Sequence, residues 1–263
     1  MTEQGGKADS HTAASGTRPS LSVVIITLNE ERKLRECLES VKWADEIIVM
    51  DSHSGDRTAE IARQYTQKVY QHDFTGDGPM RNLGIDKAVG QWILTIDADE
   101  RVTPELRQEI ESTLLDPKAS AYYIPRKAHF LGRWMKHCGW WPNYVLRLFR
   151  KDCGRYDEHL AHAKVVTKDK TGKLRSPFLH YPYDTLSEYI AKINSHTSLI
   201  ARQKMRAKTV FGCFVWATGK FFRTYLLQLG FLDGEEGLIL SILASHYAFL
   251  KHTKIWEASR RKR

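Results

Sequence analysis

Short β-branched apolar runs alternating with helical stripes restrict this chain to few folds. Leu21-Ser22-Val23-Val24-Ile25-Ile26 reads as a buried strand. Leu34, Cys37, Leu38 and Val41 then recur at helical spacing, with Asn29 placed to cap that helix. Glu46-Ile47-Ile48-Val49-Met50 is a second strand ending at Asp51, followed by a turn at Ser54-Gly55-Asp56 and a helix from Thr58 to about Tyr65. Val69-Tyr70 begins a third strand, Gly78 to Val89 reads as a helix, and Gln91 to Ile96 is a fourth strand. This alternation predicts an α/β fold on a parallel, doubly wound sheet with helices on both faces. Such sheets bind ligands beyond the carboxyl ends of their strands. Thr27-Leu28-Asn29, Asp51 and Asp97-Ala98-Asp99 all fall at such ends, so three strands aim polar residues at one crevice.

Further along, Pro104 to Leu115 reads as a helix, and Ala121 to Ile124 and Tyr144 to Phe149 as strands. Between those strands, Phe130 to Trp141 is dense in aromatic and basic residues, suited either to stacking on sugar rings or to a folded-over loop core. From Leu186 the pattern turns helical, with Leu186, Tyr189, Ile190, Ile193, Thr197 and Ile200 in one stripe.

The charge is concentrated. The net charge is +9, and from residue 201 onward 12 Lys or Arg stand against 4 acids. The same region is rich in Phe, Trp, Tyr and Leu, yet Lys220 and Arg223 interrupt one apolar run and His246 the next, so none reaches the roughly 20 residues of a spanning helix. A surface-lying amphipathic region is expected, the alternative being an ordinary helical core under a solvated basic face. Residues 1–19 are expected to be a disordered lead without the apolar core of a signal peptide, so secretion is not expected. Cys37, Cys138, Cys153 and Cys213 show no paired spacing, which suits reduced thiols in a cytosol.

Asp97-Ala98-Asp99 carries the most chemistry. Residues two apart on an extended segment share a face, so both carboxylates would project together and offer a hard oxygen site for Mg²⁺ or Mn²⁺ beside a phosphate. With Val23 to Glu31, Asp51 to Thr58, Arg81-Asn82-Leu83-Gly84 and Glu100, in this order and spacing, the triplet resembles the family-2 glycosyltransferases of GT-A fold over residues 20–165. Gly230-Phe231-Leu232-Asp233-Gly234 through Leu250 is similar to the lipopolysaccharide-core β-1,4-glucosyltransferase branch.

The resemblance implies a Rossmann-like, mostly parallel mixed sheet as a nucleotide-sugar-binding catalytic domain over 20–183, and a C-terminal helical, membrane-associating region over 184–263. It places Thr27, Asn29, Glu30, Asp51, Arg81, Asn82 and Asp97 around the nucleotide sugar. Asp99 falls on a divalent metal, with Asp97 nearer the ribose. Asp51 would read the base unless it only ends a strand, and Arg81 would neutralise diphosphate unless it is a surface partner. His162 would be a third metal ligand or a diphosphate contact, unless it is structural; His159 and His180 are the other imidazoles open to that role. An inverting transfer needs a general base. Relatives carry His-Glu where this chain has His162-Ala163, so the base is assigned to Glu158, then to Asp157, against a polar turn between strands.

The function implied is inverting transfer of glucose from a UDP-linked donor to a glycolipid such as lipopolysaccharide inner core. The enzyme would sit peripherally on the cytoplasmic face of the inner membrane, at an anionic surface. The alternatives are a polyprenyl-phosphate glycosyltransferase, a non-catalytic scaffold that has lost its base, and a basic nucleic-acid-binding protein. The last is disfavoured because the charge sits in one tail without a nucleic-acid motif, and no nucleic-acid partner is expected.

Overall fold

The computed structural model describes residues 18–158, 163–202 and 207–261. Strand β1 (Leu21–Thr27) pairs in parallel with β2 (Glu46–Asp51) and with β4 (Trp92–Asp97), and β2 pairs in parallel with β3 (Val69–Gln71). The sheet continues through β8 (Asn143–Arg150), antiparallel to β4, then β6 (Ala121–Phe130), β12 (Phe178–Tyr183) and β5 (Glu100–Val102). Short β7 (Arg133–Trp134) and β11 (Thr171–Lys173) attach to β6, and β9 (Arg155–Tyr156) pairs with β10 (Val165–Val166) apart from the main sheet. The mixed, largely parallel α/β sheet expected from the sequence is therefore present.

Alternation along β1 decides which helices lie on which face. Val23 and Ile25 pack with Leu34 and Leu38 of α1 (Leu34–Val41), Ile61 of α2 (Thr58–Arg63) and Leu106 and Ile110 of α4 (Pro104–Leu115). Val24 instead packs on the opposite face with Met80 and Ile85 of α3 (Asp77–Lys87). Gly84 lets α3 lie this close, because a Cβ there would meet Val24 Cγ1 at 2.5 Å. Helix α4 starts as its sequence demands, with Thr103 accepting from the Leu106 amide and Pro104 in the first turn.

Two local expectations are corrected. Asn29 does not cap α1, whose N-cap is Lys33; Asn29 takes a left-handed conformation (φ 54°) and its side chain accepts from the Gly55 amide. Asparagine tolerates that conformation, and the bond ties the loop after β1 to the turn after β2. Asp97-Ala98-Asp99 is not one extended segment either: β4 ends at Asp97 and the chain turns tightly into β5 at Glu100, whose carboxylate accepts from the Asp97 amide.

The C-terminal region is helical. It comprises α5 (Leu186–Arg202), α6 (Val210–Phe222), a π turn over Arg223–Leu227, a 3-10 turn over Gly230–Asp233 and α7 (Gly234–Arg261). On α5, Tyr189, Ile193 and Thr197 of the expected stripe are buried, whereas Leu186 and Ile190 are exposed. Tyr189 and Ile193 pack with Leu240 of α7 and with Phe130, Met135 and Cys138, and Trp140 packs partly buried against them, so the segment after β6 contributes to this core. No helix among the described residues is long and apolar enough to cross a membrane.

Candidate active site

The carboxyl ends of β1 and β4 open into a crevice of about 380 Å³, within the range of small-molecule sites. Thr27 and Glu30 enter it from β1 and the following loop, Arg81 from α3, and Asp97 and Asp99 from the β4–β5 turn. Across from them stand His180 of β12, Lys192 of α5, Arg126 of β6 and Trp140. Thr27 Oγ1, Arg81 Nε and Asp99 Oδ1 are buried and have no hydrogen-bond partner among the described residues. Burying a polar atom unpaired costs about 1–3 kcal/mol, so three such atoms in one crevice mark it as a place for a polar ligand.

The two carboxylates of the triplet do different work. Asp97 is gripped by two buried guanidinium groups, Arg81 Nη2 at 2.5 Å from Oδ1 and Arg147 Nη2 at 2.6 Å from Oδ2. Burial alone would raise its pKa, but Arg147 and then Arg81 hold it well below the usual carboxylate range. Arg147 also lies 3.4 Å from the Tyr156 hydroxyl, which is 2.6 Å from Thr95 Oγ1. Asp99 has no arginine partner among the described residues. His180 Nε2 stands 3.5 Å from its Oδ1 and Lys192 Nζ 3.9 Å from its Oδ2. Burial opposes its ionisation too, yet His180 and Lys192 keep it an anion.

Glu30 is the contrasting group. Burial, then the nearby Asp99, push its pKa from 4.5 up to about 7, against the pull of Lys192 and Lys33. The folded chain therefore holds this proton more tightly than the unfolded one. Its stabilising contribution is complete below pH 4.5, shrinks as pH rises and is gone above about 7. In EDTA, the Tm of the wild type is expected to carry a decline of several degrees across that window. Glu30→Gln should remove this component; an unchanged pH–Tm curve in the variant would contradict the assignment.

Other expected site residues lie elsewhere. Asp51 is fully buried at the end of β2, and its oxygens accept from Ser54 and Gln71. Asn82 exchanges hydrogen bonds with the Tyr156 backbone (2.9 and 3.0 Å), so its amide secures β9 rather than lining the crevice. Asn29 is exposed on the rim. Asp157 bonds Lys164 through its backbone and side chain, and Glu158 is exposed; neither lines the crevice. The Asp157 carbonyl packs on Gly78 of α3, beside the crevice residues Asp77 and Met80. His162 and His159 lie outside the described residues.

Arg147, Lys192 and Arg126 were not singled out by sequence reasoning. Arg147 had a signal, a lone base within the apolar strand Val145 to Phe149, which a buried counter-charge explains. A metal fits what is present. Asp99 and His180 are an oxygen and a nitrogen donor around an unpartnered buried atom, and Mg²⁺ commonly takes one or two carboxylates plus substrate phosphates rather than a full protein cage. No cluster of three or more His, Cys, Asp or Glu suited to a metal occurs among the described residues.

Fold and crevice are those of an α/β protein that takes its ligand beyond the carboxyl ends of its strands. More particularly, residues 22–167 match the family model described as Glycosyl transferase family 2, and the chain belongs to that family. It is 28% identical over 257 residues to the lipopolysaccharide core biosynthesis glycosyltransferase LpsC of Rhizobium meliloti, covering 90% of this chain and 92% of that protein. An uncharacterised glycosyltransferase of Rickettsia typhi is 28% identical over 259 residues, 92% of this chain and 89% of that one. Among solved structures, S. aureus TarS in complex with UDP-GlcNAc is similar at a TM-score of 0.47 and 16% identity, over 92% of each chain.

Proposed function

We propose that this chain transfers glucose from a UDP-linked donor to a glycolipid acceptor of the lipopolysaccharide inner-core type, with inversion at the anomeric carbon. The observation that carries this reading is the buried Asp99 carboxylate, one oxygen unpartnered, beside His180 at the carboxyl edge of the sheet. Asp99 and His180 would hold a Mg²⁺ or Mn²⁺ ion, which when bound supplies positive charge to the leaving diphosphate. Arg81, Arg126 and Lys192 offer further cationic donors around the same crevice. Thr27, Glu30 and Asp97 line the side nearest β1 and β4, where ribose and base are proposed to lie, with Asn29 at the rim and Asp51 and Asn82 holding the surrounding loops.

In the transfer, the acceptor oxygen bonds to the anomeric carbon as the bond from that carbon to the diphosphate oxygen breaks. The electron pair leaves with the nucleoside diphosphate, and the acceptor proton passes to a carboxylate. Glu158 is proposed for that role, with Asp157 second, because their loop borders the crevice at Gly78. Polyprenyl phosphate is the second reading: a phosphate acceptor needs little base, and Glu158 is exposed outside the crevice lining. The glycolipid is preferred because the similarity to LpsC spans nearly the whole chain.

The test is a panel of nucleotide sugars assayed against core glycolipid and against polyprenyl phosphate. UDP-glucose is expected to be consumed with core glycolipid in Mn²⁺, giving an inverted anomeric linkage, and EDTA should lower the rate by about 100-fold or more. Product on polyprenyl phosphate alone would select the second reading. No transfer from any donor to either acceptor would sink both.

A further inference from the structure

We propose that α6 and the turns that follow it dock on the surface of an anionic phospholipid bilayer. Helix α6 has two unlike faces. Cys213 and Ala217, with Thr224 in the next turn, are buried, and Ser245 of α7 donates to the Ala217 carbonyl. The exposed side carries Phe211, Phe214, Val215, Phe222 and Leu226, with Phe211 76% exposed. The turns extend this face with Leu227, 80% exposed, Phe231 and Leu232. A contiguous run of exposed aromatic and aliphatic side chains marks an interaction surface rather than scattered surface residues.

Charge identifies the occupant. Residues 207–232 contain three bases, Lys208, Lys220 and Arg223, and no acid. Lys208 lies 4.5 Å from the Trp216 ring and Arg223 is exposed just past the end of α6, so cations stand beside the apolar face, while Lys220 is half-buried on the inner side near Cys138. This is the pattern of a helix lying in an anionic lipid interface. A second copy would suit it less, because an isologous contact brings the same cations together. No helix among the described residues is long and apolar enough to span, so the contact is superficial.

The turns that carry the docking face are hydrogen-bonded to the segment that leads to the crevice. The Cys138 amide donates to the Gln228 carbonyl at 2.9 Å, and the His137 amide and Nδ1 lie 2.7 and 2.8 Å from the Asp233 carboxylate. Trp140, two residues beyond Cys138, lines the crevice. Docking would therefore hold the crevice close to an acceptor anchored in the same bilayer. The lipid contact stands on exposure and charge and does not depend on the donor or acceptor proposed above.

Sedimentation of the full chain with vesicles tests it, without nucleotide or acceptor. Vesicles of phosphatidylcholine with one third phosphatidylglycerol should pellet the wild type, and pure phosphatidylcholine should bind about tenfold less. Phe211→Glu with Phe214→Glu should weaken binding by about 100-fold without changing Tm, because both side chains are exposed. Lys208→Gln and Arg223→Gln should each weaken it about fivefold. Absent binding, or equal binding by wild type and the Phe variant, overturns the proposal. A dimer in sedimentation equilibrium that Phe214→Glu dissolves, with no vesicle binding, assigns the face to a second copy instead. Vesicle binding that persists when no donor is turned over leaves the docking standing and removes only the transfer reading.

Discussion

Asp99→Asn is expected to lower glycosyl transfer by about 10³-fold while the protein remains folded. The asymmetry within the triplet is the reason. Asp97 spends both oxygens on Arg81 and Arg147 at hydrogen-bond distance, whereas the cations nearest Asp99, His180 and Lys192, stand off at 3.5 and 3.9 Å and leave Oδ1 without a hydrogen bond among the described residues. His180 and Lys192 stabilise the buried Asp99 anion, so losing its charge should also lower Tm by several degrees while the fold survives. The loss should fall on both kcat and the donor KM, since the metal it would help hold would bind the diphosphate and meet the charge that develops on it as the bond breaks. Transfer measured over a range of donor concentrations, with circular dichroism of the variant, checks this. Activity within tenfold of wild type would remove Asp99 from the metal site.

Arg147→Met is expected to act in the opposite way, on folding first. Arg147 is buried against Asp97, whose side chain is 24% exposed, and it also stands 3.6 Å from the buried Glu100. Removing one partner of a buried ion pair costs about 3–5 kcal/mol because the remaining charge is left under-compensated. For a chain of this size that is roughly 6–20 °C in Tm. Arg147→Met with Asp97→Asn should recover part of the loss, whereas independent sites would add. The depressed pKa of Asp97 stabilises the fold above pH 3.8 and is lost as pH falls below it, so Arg147→Met should also flatten the acid limb of the stability curve. Equal Tm in wild type and variant would contradict the role given to Arg147.

Elements that depend on local pattern were legible in the sequence. The runs Leu21 to Ile26, Glu46 to Met50 and Gln91 to Ile96 became the central parallel strands, and Leu34, Cys37, Leu38 and Val41 became the buried stripe of α1. Pro104 marked the start of α4 because a first-turn proline acts locally, and the Thr103 cap that precedes it is seen only in the fold. What depended on partners distant in sequence was not legible. Strand β12 contains Pro182 and shows no simple alternation, and its place between β6 and β5 comes from pairing across the fold. His180 therefore remained one imidazole among several until β12 set it beside Asp99. Arg147 meets Asp97 across 50 residues of sequence, and Lys192 reaches Asp99 from a helix read only for its apolar stripe. Asn82 offered the reverse lesson, since a motif residue turned out to satisfy the backbone of β9.

The central claim is that the Asp99 crevice holds a nucleoside diphosphate through a divalent metal. Calorimetric titration of UDP into the chain, with Mn²⁺ and then with EDTA, measures it most directly. Binding in Mn²⁺ should weaken by at least about tenfold in EDTA, and Asp99→Asn should bind alike and weakly in both. Equal affinity with and without metal in the wild type, or a metal dependence that survives Asp99→Asn, would contradict it.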